Sequence, residues 1–324
     1  MSSLFSVGSK FGFTFFLRVV VPGLMAALVL LPLFNPLLPK AMKVTEPDGL
    51  AIVVLPGGIL FGFFLSLFSS TIYQMYEGRT MWPLWFSDFC TDRLSAKVKK
   101  KFDLAESPQL KGSMERRELW YWLRIFPLDD KGNPCATRPS LLGNVMEGYE
   151  RYSLTRYGMD SVFYWYRLWL KLPKNVTDYL DLVWAEAECL LHTSFVFLLS
   201  SFLYLLAFLF KLLMTSVGGL DFLNDIALSW PVLPLLVMGA LLSLMTFYLV
   251  YRLSIPLHRR NGEYFKSLFD VFRNEMKDMK DISEEEIAEW QKTWLYLQYH
   301  RLRCPHCQNS YSVGAEHECL QQDT

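Results

Sequence analysis

Four long apolar runs constrain this chain more tightly than any other feature. They cover Val19–Leu38, Leu50–Tyr73, Leu190–Met214 and Trp230–Val250. Each is close to the roughly 20 residues that a helix needs to cross a bilayer core. Backbone groups in hydrocarbon find no water to bond, so such runs are expected to be helical. Hydrophobic residues make up 52% of the 324, and they gather in these blocks instead of spreading through one soluble core. The expected fold class is therefore mainly α. It has four transmembrane helices in two hairpins, a mostly helical cytoplasmic module between them and an amphipathic C-terminal helical pair. The corresponding segments are 1–74 and 190–254 for the hairpins, 75–189 for the module, 255–301 for the C-terminal helices and 302–324 for a Cys/His-rich tail.

The flanks suggest an orientation. Arg79, Arg93 and the lysines up to Lys101 follow the second run, and Arg252, Arg259 and Arg260 follow the fourth. The linker between the last two runs carries Asp221 and Asp225 and no Lys or Arg. Positive charge stays on the cytoplasmic side, which puts both termini and the middle segment there. Lys40 and Lys43 count the other way. Lys10 and Arg18 precede the first run without a small-x-small cleavage site after it, so that run reads as a retained span.

The centres of the spans lack Asp, Glu and His, which argues against ion-coupled transport. Arg18 and Lys211 lie near span ends, where long side chains can snorkel. Ser66, Ser69, Ser70, Ser200, Ser201 and Ser243 leave a pore open as a reading, although membrane serines commonly bond backbone or a packed neighbour. Gly57, Gly58 and Gly62 would admit a close helix neighbour or simply a bend. Just past the second span, Trp82, Trp85, Phe86 and Phe89 precede Lys97, Lys99, Lys100 and Lys101. This pattern fits an interfacial helix touching anionic lipid, or an ordinary helix with a solvated basic end.

The middle segment carries the mixed chemistry. Leu142, Val145, Met146, Tyr149 and Tyr152 recur at helical spacing. Gly158 should break that helix and Asp160 cap the next, and Pro173 should end it. From Asn175 a further helix is expected to run unbroken into the third span. Leu119–Phe126 fits a strand or a helical turn. Arg138, Asn144, Glu147, Glu150, Arg156, Asp160 and Arg167 are candidate ligand-binding residues, since arginines clamp phosphate or carboxylate. The competing reading is ion pairs that fix helix packing, such as Arg156 with Glu150 or Asp160. All five histidines lie at or beyond His192, so the module alone cannot build a Ser/His/Asp or Cys/His arrangement. No nucleotide loop or HExxH motif occurs. Equal numbers of basic and acidic residues, 32 each, argue against a nucleic-acid binder.

After the fourth span, Tyr264, Phe265, Leu268, Phe269, Phe272, Met276 and Met279 form an apolar stripe, and Ser283 with Glu286 opens a second helix. These faces need a partner, either the central block or a second copy of the chain. Of the six cysteines, Cys90, Cys135 and Cys189 are scattered, as in a reducing compartment. Cys304, Cys307, His317 and Cys319 could close a structural Cys₃His zinc site. Incidental thiols in a tail, or a redox pair, are the alternatives.

The segment with Arg138-Pro139-Ser140, Gly143-Asn144, Glu147, Glu150, Arg156-Tyr157-Gly158, Asp160, Trp165, Arg167 and Leu168 resembles a group of uncharacterised bacterial integral membrane proteins. Tyr76-Glu77-Gly78, Phe269-Asp270 with Arg273, and Glu285 to Trp290 resemble them too. The likeness runs from the first span to about Trp294. It implies architecture and no activity. The expected function is that of a non-enzymatic polytopic inner-membrane protein whose cytoplasmic module binds a partner or senses a signal. An oligomeric pore gated by the module, or a membrane-bound enzyme using the arginine and carboxylate cluster, are the alternatives.

Overall fold

The computed structural model describes residues 12–35, 47–129, 132–157, 159–217, 233–276, 301–303 and 310–312. It is mainly helical. A π-helical turn, Phe16–Val20, leads into α1 (Val21–Phe34), followed by α2 (Pro47–Leu67) and α3 (Ser69–Glu77). The module contains α4 (Leu84–Glu106), α5 (Met114–Leu123), α6 (Leu141–Tyr157) and α7 (Ser161–Lys171). Two 44-residue helices follow, α8 (Lys174–Val217) and α9 (Leu233–Met276). Strands β1 (Arg301–Arg303) and β2 (Ser310–Ser312) pair antiparallel, with Arg303 opposite Ser310.

Three helices among the described residues are long and apolar enough to cross a membrane: Gly12–Phe34, α8 and α9. A fourth forms if the bent pair Val54–Leu67 and Ser69–Glu77 counts as one span. Their outward faces are apolar. Leu60, Phe63, Leu67, Phe202, Met238, Leu241, Leu242 and Met245 are all exposed, a belt that a water-soluble surface would not tolerate.

The helices depart from the apolar runs in three places. The first apolar helix begins at Gly12 and so includes Arg18, seven residues inside the candidate span Gly12–Phe34 and not at its edge. The second bends by 60° between Leu67 and Ser69. Phe68 there has φ −95° and ψ 9°, and the Ser69-Ser70 pair beyond it is a common site for a kink. The fourth run is continuous with the helix that follows it. α9 continues through Pro256 to Met276, although proline lacks the N–H that would bond the carbonyl four residues back. Packing of α9 on α8, α6 and α7 offsets that loss, which costs about 3 kcal/mol in an unsupported helix.

Packing in the apolar half rests on glycine. A Cβ at Gly23 would lie 1.9 Å from the Gly58 carbonyl, and one at Gly62 would lie 2.0 Å from the Val19 carbonyl. The glycines therefore serve close approach of α1 to α2. α1 also packs on α8, where the Tyr204 hydroxyl donates to the Val29 carbonyl at 2.9 Å. The serines act as glue. Ser201 donates to Ala240 O across the α8–α9 contact and Ser200 to Val196 O within α8.

In the module, Leu119–Leu123 is the end of helix α5 and 124–126 a turn, so Leu119–Phe126 is not a strand. Ser140 caps α6 by accepting from the Gly143 N–H at 2.9 Å. Asp160 occupies the N-cap position of α7, its carbonyl accepting from Tyr164 N. α8 starts at Lys174, directly after Pro173, and runs unbroken into the apolar half. The apolar stripe of α9 packs on the module: Phe265, Leu268 and Phe269 join Tyr164, Leu168, Leu172 and Leu180 in one buried cluster. Residues 277–300, where the second amphipathic helix and its Ser283 cap are expected, lie outside the described residues.

Candidate functional site

The seven candidate residues of the middle segment do not share one pocket. Three build a loop clamp. Asn144, fully buried, accepts from Thr137 N (2.8 Å) and Arg138 N (3.3 Å) and donates to Arg138 O and Ser140 O (both 2.7 Å). Glu147 accepts from Arg138 on one oxygen (2.8 and 3.0 Å) and from Arg151 on the other (2.6 Å). Burial works against the Glu147 charge, but the two guanidinium groups outweigh it and hold the carboxyl below its usual range. Both residues are thus fully engaged in structure.

Arg156 lies on the outer surface beside the Tyr152 and Tyr157 rings, whose hydroxyls both donate to Asp270 of α9. Glu150 pairs with Arg79, not with Arg156 as the spacing suggested. Arg167 stacks at 5.8 Å from the Tyr164 ring. The basic groove beside Arg156, also lined by Arg124, Arg151 and Lys266, has acids of its own: Glu263 meets Arg124 and Lys266.

The interfacial residues divide similarly. Trp85, Leu84 and Phe89 on α4 are exposed. Trp82 turns inward, donating from its indole to Met75 O at 2.8 Å. Lys101 and Lys97 sit over the Trp122 ring, at 4.6 and 5.7 Å, so these two face the module. Lys99 and Lys100 are exposed. Cys304, Cys307, His317 and Cys319 lie outside the described residues, as does any zinc they would hold. Among the described residues no group of three His, Cys, Asp or Glu side chains could hold a metal ion.

A concave site with elements of both halves in its walls lies where the module meets the apolar half. It is a cavity of about 510 Å³. α3 contributes Ser69, Ser70, Tyr73 and Glu77. α6 contributes Met146, Tyr149 and Glu150, and α7 contributes Ser161, Trp165 and Tyr166. Trp184 and Glu188 come from α8, and His258, Asn261 and Phe265 from α9. Three glutamates line it, with no Lys or Arg among the described lining residues.

Each acid is tied to an arginine just behind the wall, and each arginine is shared. Arg79 meets Glu77 at 2.5 Å and Glu150 at 3.0 Å. Arg18, in the π-helical turn, meets Glu188 at 2.5 Å and Asp181 at 2.8 Å. Arg18 is therefore an ion-pair partner and does not snorkel to the headgroups. Four carboxylates on two guanidinium groups leave the surroundings negative. Burial pushes the Glu150 carboxyl above its usual range, and Arg79 offsets this only in part.

The remaining polar groups are mostly fixed. His258 Nδ1 lies 2.9 Å from the Ser254 carbonyl, and Nε2 lies 3.1 Å from the Tyr73 hydroxyl. Donation from Nδ1 and acceptance at Nε2 satisfy a neutral ring. His192 Nε2 is 3.1 Å from Ser69 Oγ, yet its Nδ1 has no partner. No carboxylate orients that ring as a general base would require. Asn261, only 4% exposed, donates to Val183 O, while its Oδ1 is buried with no partner.

The loop and helices behind the cavity interlock closely. A Cβ on Gly143 would meet Glu77 O at 2.2 Å, and one on Gly78, at φ +78°, would meet Pro139 at 2.2 Å. Most of the cavity was invisible to sequence reasoning, because Tyr73, Glu77, Glu188, His258 and Asn261 sit at or near span ends. The signal available was the polar residue at each end, taken together instead of singly. Compared with protein-family models, curated proteins and solved structures, the chain matches none.

Proposed function

We propose that this chain is a non-enzymatic, multi-pass inner-membrane protein whose cytoplasmic module senses a small ligand at the membrane boundary and passes the state to a partner. Both termini are cytoplasmic in this reading, and the apolar helices form two hairpins. The observation that carries it is the cavity itself, whose walls come from the module helices α6 and α7 and from both long helices α8 and α9. Anything bound there touches every element that links module to bilayer. Binding is favoured over catalysis because no described nucleophile has both a base and an orienting group.

The partners in this reading are the bilayer, a cytoplasmic protein and a second copy of the chain. A structural zinc in the tail is part of the proposal: the β1–β2 ladder flanks in sequence the segment holding Cys304 and Cys307. The implied kinship with the bacterial membrane group likewise stays a proposal about architecture. It is supported by its pieces meeting in space: Gly78 on Pro139, Gly143 on Glu77, and Tyr157 on Asp270.

The test uses spin labels at Leu170 on α7, which is exposed, and at Leu212 on α8, in full-length protein in nanodiscs. A sensor of this build gives one distance in wild type and a shifted or broadened one in Glu150→Gln. Identical distributions would remove the sensing role. Ion flux in liposomes would replace it with a gated pore.

A further inference from the structure

The chemistry of the junction cavity selects for one class of ligand. Its polar wall offers acceptors and negative charge: Glu77, Glu150, Glu188 and the Asn261 Oδ1 that has no partner. Much of the rest is aromatic, beside three serines, Met146 and His258. The Trp165 ring centre lies 5.1 Å from that of Trp184 and 4.7 Å from that of Phe265, and Tyr73, Tyr149 and Tyr166 also line the site. Ring faces attract a weakly hydrated cation, and buried acceptors reject an anion. The volume of about 510 Å³ falls in the range of small-molecule sites. A metal ion fits poorly, since no described trio of ligating side chains converges.

We propose that this cavity binds an organic ammonium ion, with Asn261 Oδ1 and the Glu150 carboxylate as its polar contacts and Trp165 and Trp184 as its aromatic wall. Asn261 is the independent sign of a ligand. A buried amide oxygen left without a donor is costly, and a bound ammonium N–H, or the polarised methyl of a quaternary group, removes that cost. Because the cavity opens at the membrane boundary, the ammonium can come from a lipid headgroup or from a soluble amine. The proposal rests on reading this cavity as a ligand site.

The full chain is placed in nanodiscs of phosphatidylglycerol alone and titrated calorimetrically with tetramethylammonium, choline and ethylammonium chlorides. Sodium acetate and sodium chloride at matched ionic strength serve as controls. Saturable binding of the ammonium ions and none of acetate is expected. Asn261→Leu, Glu150→Gln and Trp165→Leu should each weaken it about tenfold, the scale of one cation–π or charge-assisted contact. Thermal melts identify any variant that misfolds, and the tetramethylammonium–acetate comparison on wild type needs no variant.

In a second arm the nanodiscs contain phosphatidylethanolamine or phosphatidylcholine. If these lipids compete with tetramethylammonium, the source is a headgroup. If they do not, while the free amines bind, the source is soluble. No saturable binding of any ammonium and no headgroup competition, or equal binding of acetate, overturns the proposal. Ammonium binding with an unchanged spin-label distance would refute sensing and leave the site standing.

Discussion

The close contact between α1 and α2 predicts opposite outcomes for two identical substitutions on one helix. Gly62→Ala puts a methyl 2.0 Å from the Val19 carbonyl, against an ordinary contact of 3.4 Å or more, so the helices must open by about 1.4 Å. The obstacle is backbone, which cannot rotate aside. Overpacking of this kind costs about 1–3 kcal/mol, and in lipid no hydrophobic gain between helices compensates for it. Gly57→Ala, five residues earlier, meets nothing within 4 Å. Removing a helical glycine there should be neutral or stabilise by about 0.5–1 kcal/mol. Thermal melts of both variants in one detergent, followed by helicity and by monodispersity, supply the comparison. At about 2–4 °C per kcal/mol, Gly62→Ala should melt several degrees below wild type and Gly57→Ala at or slightly above it. If the two shift together, or if Gly62→Ala melts within a degree of wild type, close packing is not what the glycine serves.

Four further outcomes follow. Glu147 is held below its usual range, so its stabilising effect is present above its unfolded value near 4.3 and is lost as pH falls through the lower folded value. Glu147→Gln should cost about 1–2 kcal/mol at pH 7 after allowance for its partly exposed arginines, and it should flatten the acid limb of a pH–stability curve. Glu150 has the opposite sign: its raised value means that acidification towards the unfolded value favours the folded state, so Glu150→Gln should abolish that gain in the same curves. Lys99→Ser with Lys100→Ser should reduce the anionic lipid retained in native mass spectra, whereas Lys97→Ser with Lys101→Ser should leave retention unchanged and lower the melting temperature. Elemental analysis of full-length protein should find about one zinc per chain, lost in Cys304→Ser; a metal-free wild type would eliminate the zinc.

How much of this was legible beforehand depends on whether an interaction is local. Helices α6, α7 and α8 follow from spacing and punctuation, because the α6 stripe is periodic and Asp160 and Pro173 act within a few residues of themselves. The passage of α9 through Pro256 ran against local rules. There tertiary packing decides, as where the α9 stripe seats on Tyr164 and Leu168. The cavity was the least legible feature. Arg18 and Glu188 are 170 residues apart, and Tyr73 reaches His258 across 185. No periodicity within one helix reveals such pairs. Treating the arginines and carboxylates of the middle segment as one group overlooked that Glu147 already has two partners on its own side of the fold.

The unbroken length of α9 has a mechanical consequence. The portion beyond Val250 extends about 39 Å at 1.5 Å per residue, and the module is seated along it. A rod of that reach cannot absorb a change in bilayer thickness by hinging at the surface. It has to tilt, as long spans do under hydrophobic mismatch. Ten degrees of tilt would carry the far end about 7 Å sideways, by the same helical rise. Thin and thick membranes would therefore present the module at different angles to the membrane plane, with every contact inside it preserved.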